Sequence, residues 1–220
     1  GNYSGDAAGL SRPAVWQKVP RLREVLRQPD IDYAFWVDSD SLFVDWNRSL
    51  ERLLPRGDFH ISIVGDTRCF LNFGHFILRK GAWADWFLAA VWSVYPAPLP
   101  FEEQAAAIYV LTGGRAACRA YVDHSTCCSG KSVVYPQVRR IKQRVMNAYV
   151  SNFTGNNTIL HFPGLRVKDK MQLMEGYADF AGSPTMREAH LSLLLAVCNW
   201  GGGAHASWHA CQRDRVVAAQ

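Results

Sequence analysis

No stretch of this chain is long and apolar enough to cross a bilayer: the longest apolar runs, near residues 86–95 and 191–200, fall well short of the roughly 20 residues that a spanning helix needs. No C-x-x-C pair occurs, so the six cysteines (Cys69, Cys118, Cys127, Cys128, Cys198, Cys211) lack zinc-site spacing. Being even in number, they either pair under oxidising conditions or remain small apolar thiols. No internal repeat occurs, and no two aspartates are adjacent. Charge is modest and mixed, with 24 basic and 19 acidic residues giving +5, which favours anionic partners such as phosphates without implying nucleic acid. The chain opens without Met, a charged n-region or an apolar h-region, so it shows no signal peptide and reads as a fragment or processed piece.

With 220 residues, 49% hydrophobic and 20% charged, the chain can bury one substantial core. The expectation is one globular domain over residues 1–182, with a helix from 186 to 200 and a flexible tail making up 183–220. His205, His209 and Cys211 lie in that tail among Gly, Ala and Ser, a composition that favours a disordered extension over a metal clip. Sequons at Asn2, Asn47, Asn152 and Asn156 are possible glycosylation acceptors, and four in this length tilt toward a lumenal protein.

Asp38-Ser39-Asp40 carries the most information. It follows Tyr33-Ala34-Phe35-Trp36-Val37, whose aromatic and β-branched residues read as a buried strand delivering carboxylates to its end. In extended backbone, residues i and i+2 project to one side, so Asp38 and Asp40 can share a divalent cation while Ser39 turns away. A turn with no metal uses the same residue types.

Around that triplet, helical and extended patterns alternate. Pro13 precedes Val15, Val19, Leu22 and Leu26, which recur at helical spacing until Pro29. Strands are expected over 59–64 and 70–78. Trp83, Trp86, Phe87, Ala90, Val91 and Val94 predict one buried face of a helix over 82–95, and residues 102–111 a shorter helix with acidic residues in its first turn. Residues 123–131 read as a loop, 133–135 as a strand, the basic run 139–144 as a solvated face, and 158–162 as a short strand carrying His161. Strands alternating with helices make this an α/β protein.

In this order the landmarks resemble glycosyltransferase family 34, which contains fungal α-galactosyl and α-mannosyl transferases and plant xyloglucan xylosyltransferases. The resemblance runs from Trp16-Gln17-Lys18 through Phe35-Trp36-Val37-Asp38-Ser39-Asp40-Ser41-Leu42-Phe43 and Leu71-Asn72-Phe73-Gly74-His75 to Glu103-Gln104. It continues through Gln143-Arg144-Val145-Met146-Asn147-Ala148-Tyr149 and closes at His161-Phe162-Pro163-Gly164, covering about residues 12 to 177.

The resemblance implies a GT-A-like fold, a single Rossmann-like domain with a mixed central sheet whose first strand-helix units are missing here. It implies transfer with retention from a nucleotide-diphosphate sugar, UDP rather than GDP, to a glycan acceptor. The implied metal is Mn²⁺, with Mg²⁺ as the alternative, held by Asp38, Asp40 and His161; the added imidazole favours manganese. Asn72, Glu103 and Gln104 are the implied catalytic residues, orienting the sugar and stabilising oxocarbenium-like charge. Lys18, Asp38, Ser39, Gly74, Gly164 and Lys168 are implied donor contacts, with Gly164 admitting a phosphate close to backbone, Lys170 standing in reserve for Lys168, and a surface salt bridge as the other reading of Lys18. In a front-face mechanism the acceptor hydroxyl passes its proton to the departing phosphate oxygen, so no dedicated base is required. The 143–149 element is closer to the fungal members, which favours galactose or mannose over xylose.

Members of this family are Golgi type II membrane proteins, so the resemblance places the chain on the lumenal face, with its anchor expected upstream of Gly1. A non-catalytic partner subunit of a Golgi glycosyltransferase complex would carry the same motifs. A haloacid-dehalogenase-type phosphohydrolase also uses strand–Asp-x-Asp, but it later presents paired aspartates, which are absent here.

Overall fold

The computed structural model describes residues 12–66, 71–95, 102–113, 136–155 and 157–181. These residues form two compact units. The first takes in the described parts of 1–36, 54–63 and 68–139; the second takes in 37–53, 64–67 and the described part of 140–220. Each has its own apolar core.

In the first unit, a 3-10 turn at Ala14–Gln17 leads into α1 (Lys18–Leu26). Pro20 falls in the first turn of α1, where its missing N–H costs no internal bond. Val19, Leu22 and Leu26 are buried as their spacing predicts. Val15, however, is exposed, and Trp16 takes the inward place beside it. Trp16 makes edge contacts with Trp92 and Tyr95, and Arg12 lies 3.6 Å from the centroid of the Trp92 ring.

β1 (Tyr33–Val37), β3 (Ile61–Gly65), β4 (Leu71–Arg79) and β5 (Val138–Ile141) form a sheet in the order β1-β4-β3-β5. β4 lies inside the sheet and is buried along all but its last residue. β1 lies at the edge, and only Ala34 of it is buried. The expected buried strand is therefore a half-buried edge strand, because its aromatic residues are covered on one side only.

α2 (Ala82–Ser93) packs against α1 and α3 (Glu102–Leu111), and α3 against β4. Phe87, Leu88 and Val91 form the inward stripe of α2, whereas Trp86 is exposed, so the aromatic stripe is narrower than expected. α3 ends at Gly113, whose φ of +71° suits a residue without Cβ.

The second unit is built on a three-stranded sheet of β2 (Ser41–Phe43), β6 (Ala148–Tyr149) and β7 (Ile159–His161), with β7 in the middle. β2 pairs antiparallel to β7 with Ser41 opposite His161; β6 pairs parallel to it with Tyr149 opposite His161. α4 (Gln143–Met146) precedes β6, and α5 (Val167–Ala178) follows β7. Leu173 and Tyr177 of α5 join Val44, Phe153 and Phe162 in the core. The basic run supplies part of β5 and α4, with Arg140, Lys142 and Arg144 exposed as a solvated face.

The six cysteines, the 123–131 loop, the 133–135 strand, the 186–200 helix and the His205–His209–Cys211 group lie outside the described residues, as do Asn2 and Asn156. Asn47 is exposed, but Asn152 is committed to local structure: its Oδ1 accepts from Tyr149 N at 2.8 Å and its Nδ2 donates to Gln143 at 3.1 Å. No helix among the described residues is long and apolar enough to cross a membrane.

Candidate metal centre

The chain does not stay extended through Asp38-Ser39-Asp40. Ser39 and Asp40 form a turn between β1 and β2, with Ser39 exposed. The two carboxylates thus converge through a turn, and i, i+2 projection from one strand is not the cause. The β2–β7 register brings in the third group: with Ser41 opposite His161, the next ladder bond runs from Phe162 N to Asp40 O at 2.9 Å. Asp38, Asp40 and His161 can each offer one ligand atom, and these atoms lie within 4.8 Å of one another.

His161 is 3% exposed and held from both sides. Its Nδ1 lies 2.6 Å from Asn147 Oδ1, and its Nε2 lies 3.1 Å from Asp40 Oδ1. The other oxygen of Asp40 accepts from Lys170 Nζ at 2.6 Å. Burial pushes the Asp40 carboxyl up, but the hydrogen bonds and positive charge of His161 and Lys170 outweigh it and hold the group well below the usual carboxylate range. Asp40 is accordingly an anion with ligand capacity at any physiological pH.

Two carboxylates and an imidazole on adjoining elements are the donor set that suits Mn²⁺ or Mg²⁺, with the imidazole shifting preference toward manganese. An imidazole that ligates through one nitrogen is ordinarily oriented by a partner on the other, and Asn147 occupies that position. The residues present therefore fit a divalent cation.

Of the two lysines considered for this region, Lys170 reaches the acidic group. Lys170, Leu173 and Tyr177 are spaced i, i+3, i+7, so the inward stripe of α5 that buries the two apolar residues also carries the ammonium to Asp40. Lys168 instead lines an open depression of about 420 Å³ with Arg166, Asp169 and Gln172. Gly164 has a φ of +70°, and a Cβ there would meet nothing within 4 Å. That left-handed φ favours a residue without Cβ in the turn from β7 toward α5, and the space beside its backbone is open.

The remaining site residues gather in the first unit. Lys18 is only 6% exposed, and its Nζ pairs with Glu103 at 2.8 Å and donates to Phe73 O at 3.1 Å. The surface salt bridge considered for Lys18 is therefore a buried one. Gln104 Oε1 accepts from Phe73 N at 2.9 Å, and Asn72 Oδ1 accepts from Gly74 N at 2.8 Å. Side chains thus bond successive backbone groups of β4 at residues 73 and 74. Glu102, just before the pair, has a φ of +51° and accepts from Trp16 Nε1 at 2.9 Å, which anchors α3 at a strained residue.

The 143–149 element carries part of the family resemblance without assigning a task to any one of its members. Asn147 contacts His161, while Gln143 is bonded to Asn152 and Tyr149 to Asp66. The signal that could have found Asn147 is its place one residue before a strand that pairs beside His161.

Residues 5–57, which include the D-x-D, match the galactosyl transferase GMA12/MNN10 family, glycosyltransferase family 34. The chain is 30% identical to probable glycosyltransferase 4 of Oryza sativa over 118 residues, half of this chain and 24% of the relative. It is 31% identical to xyloglucan 6-xylosyltransferase 2 of Arabidopsis thaliana over 77 residues, 31% of this chain and 17% of the relative. The chain therefore spans a quarter or less of the length of these curated relatives. A glycosyltransferase involved in the glycosylation of the major capsid of PBCV-1 superposes with a TM-score of 0.54 over 75% of this chain and 80% of its own, at 14% identity, which shows a shared fold. The D-x-D segment is thus similar to that of glycosyltransferase family 34, and it sits in an α/β glycosyltransferase fold.

Proposed function

We propose that this chain is catalytic-domain sequence of a retaining, divalent-cation-dependent glycosyltransferase, which moves a sugar from a nucleotide-diphosphate donor to a glycan acceptor. The observation that carries the reading is the convergence of Asp38, Asp40 and His161 at the start of β2 and the end of β7. Held there, a manganese or magnesium ion would supply positive charge against a diphosphate whose negative charge grows as the glycosidic bond breaks.

Asp40 stays ionised through Lys170 and His161, and Asn147 holds the imidazole in place. Lys168 and Arg166 add cationic side chains near the beginning of α5 that suit a phosphate-bearing donor. Glu103, held by Lys18, and Gln104 and Asn72, held on the β4 backbone, are fixed side chains of the kind that position a sugar. A uridine diphosphate donor and a Golgi lumenal location belong to the same reading.

Asn147 bears on the choice of sugar. The 143–149 element favoured a hexose, galactose or mannose, yet Asn147 supports an imidazole and Gln143 a local turn. Xylose is accordingly a second reading, favoured by the similarity to a xyloglucan 6-xylosyltransferase. Release of nucleotide from UDP-galactose, GDP-mannose and UDP-xylose, with and without Mn²⁺, tests both. The expected result is one preferred donor, loss of turnover on chelation, and no turnover in Asp38→Asn despite an unchanged fold. Equal nucleotide release by Asp38→Asn and by the parent chain would remove the metal assignment, and stable assembly with a full-length transferase without any turnover would favour a partner subunit.

A further inference from the structure

The turn that follows β2 presents an open amide side chain with an aromatic neighbour. Asn47 lies in the sequon Asn47-Arg48-Ser49 and is exposed, and no described residue bonds its side-chain amide. The turn is held through its neighbours instead. Asn47 N donates to Asp45 Oδ1 at 3.1 Å, Arg48 Nε pairs with Asp45 Oδ2 at 2.7 Å, and Ser49 Oγ accepts from Glu51 N at 3.1 Å. Trp46 is 67% exposed and stacks on Phe43 with ring centroids 5.5 Å apart. Phe43 thus backs an indole that otherwise faces solvent, directly beside Asn47.

The other described sequon, Asn152-Phe153-Thr154, is built in the opposite way. Asn152 Oδ1 accepts from Tyr149 N and its Nδ2 donates to Gln143 Oε1, while Phe153 is buried in the core of the second unit. Thr154 Oγ1 lies 3.1 Å from Asn157 Oδ1 and is bonded to it. A sugar on Asn152 Nδ2 would have to displace Gln143 and disturb a side chain that caps the turn after β6. A bulky polar group is accepted only where the surface has room for it, and Asn47 has that room.

We infer that Asn47 is an N-glycosylation site of the folded protein, and that the sugar attached there lies against Trp46. The inference rests on the lumenal location proposed above, where the donor, an oligosaccharide carried on a lipid diphosphate, is found. In the transfer the bond from Asn47 Nδ2 to C1 of the sugar forms as the bond from C1 to the diphosphate oxygen breaks, and the amide gives up one proton. The turn loses nothing, because its bonds run through the side chains of Asp45 and Ser49. A pyranose ring carries a face of C–H groups, and an indole next to the attachment point offers that face a partner while leaving water itself. Asn152 stays unmodified, its amide already spent on Tyr149 and Gln143.

The test is site-mapped mass spectrometry of the full chain, delivered to the secretory pathway of eukaryotic cells by an added leader peptide. Acrylamide quenching of indole fluorescence is read on the same protein before and after enzymatic removal of the glycan. Most molecules are expected to carry a glycan at Asn47 and none at Asn152. Asn47→Gln and Ser49→Ala should each lose it, the second with the acceptor amide still present, so Ser49→Ala decides the matter if Asn47→Gln fails to fold. Removing the glycan should raise quenching in the parent chain and leave it unchanged in Trp46→Phe. An unmodified Asn47, or a glycan on Asn152 of the folded protein, overturns the inference; quenching indifferent to the glycan overturns the contact with Trp46. The leader brings the chain to the lumen whatever its natural location, so the lumenal reading fails separately. A chain glycosylated behind the leader but unmodified at Asn47 in its own cells keeps the site and removes the lumenal location.

Discussion

Two charged clusters among the described residues, one in each compact unit, are built on opposite terms. In the first, the side chains of Lys18 and Glu103 are 6% and 8% exposed and face each other at 2.8 Å. Each is the other's counter-ion, and together with the bond from Lys18 to Phe73 O they tie α1, β4 and α3 into one piece. In the second, Asp40 and Lys170 retain 19% and 23% exposure, and Asp38, Asp40 and His161 bring ligand atoms to one place. Full burial makes a charge pair an element of construction, because removing one member strands the other in low dielectric. Partial exposure of a donor set leaves chemistry within reach of solvent and ligand.

The sharpest way to break that contrast is to remove one partner of the buried pair. Lys18→Met should cost about 3–5 kcal/mol in denaturant unfolding by leaving Glu103 uncompensated, and adding Glu103→Gln should recover most of it. A Lys18→Met protein that unfolds like the parent but loses donor affinity would instead make Lys18 a nucleotide contact. In the second unit, Asp40→Asn should lower nucleotide release by about 100–1000-fold with a much smaller change in unfolding midpoint, as measured by kinetics and melts on one preparation. Trp16→Phe deletes the indole donor to Glu102 and part of the ring packing, so about 2 kcal/mol of stability should go while Mn²⁺ affinity stays.

The smallest effect concerns His60, which stacks on Trp83 and faces Arg79. Burial, then the Arg79 charge, lowers its basicity below the ordinary 6.5, with Asp58 opposing. Below about pH 6.5 the unfolded chain therefore takes up the proton more readily than the folded one, and stability falls as pH falls. His60→Phe should flatten that part of the stability–pH curve, and a curve that keeps its slope would show that another group is responsible.

Much of the first unit was legible in the sequence, because its signals are local. β1 and α3 begin and end where apolar runs and helix signals place them, and the inward positions of α1 follow their 3–4 spacing. Val15 and Trp86 defeat the same rule, since Trp16 and Phe87 beside them offer a better fit to the core. The second unit was harder to read. β2 is three residues long and carries no distinct period, so the antiparallel partner of His161 could not be anticipated, although the residue types of the acidic triplet already allowed a turn at Asp40. His161 itself is named through family resemblance, whereas Lys170, named there only as a reserve for Lys168, takes precedence once the stripe it shares with Leu173 and Tyr177 is read. Asn147 and Asp66 depend on a parallel register between short strands, which no local pattern encodes.

The pairing of Asp40 with His161 joins residues 121 positions apart. Closing a flexible loop of that length costs on the order of 4 kcal/mol in chain entropy before any contact repays it. An ion shared by the two residues would thus be a stitch across most of the polypeptide, so chelation should loosen the C-terminal strands and α5 to proteases as well as silence turnover. The residues that make the centre reactive would also be those through which metal supply governs how long the protein survives.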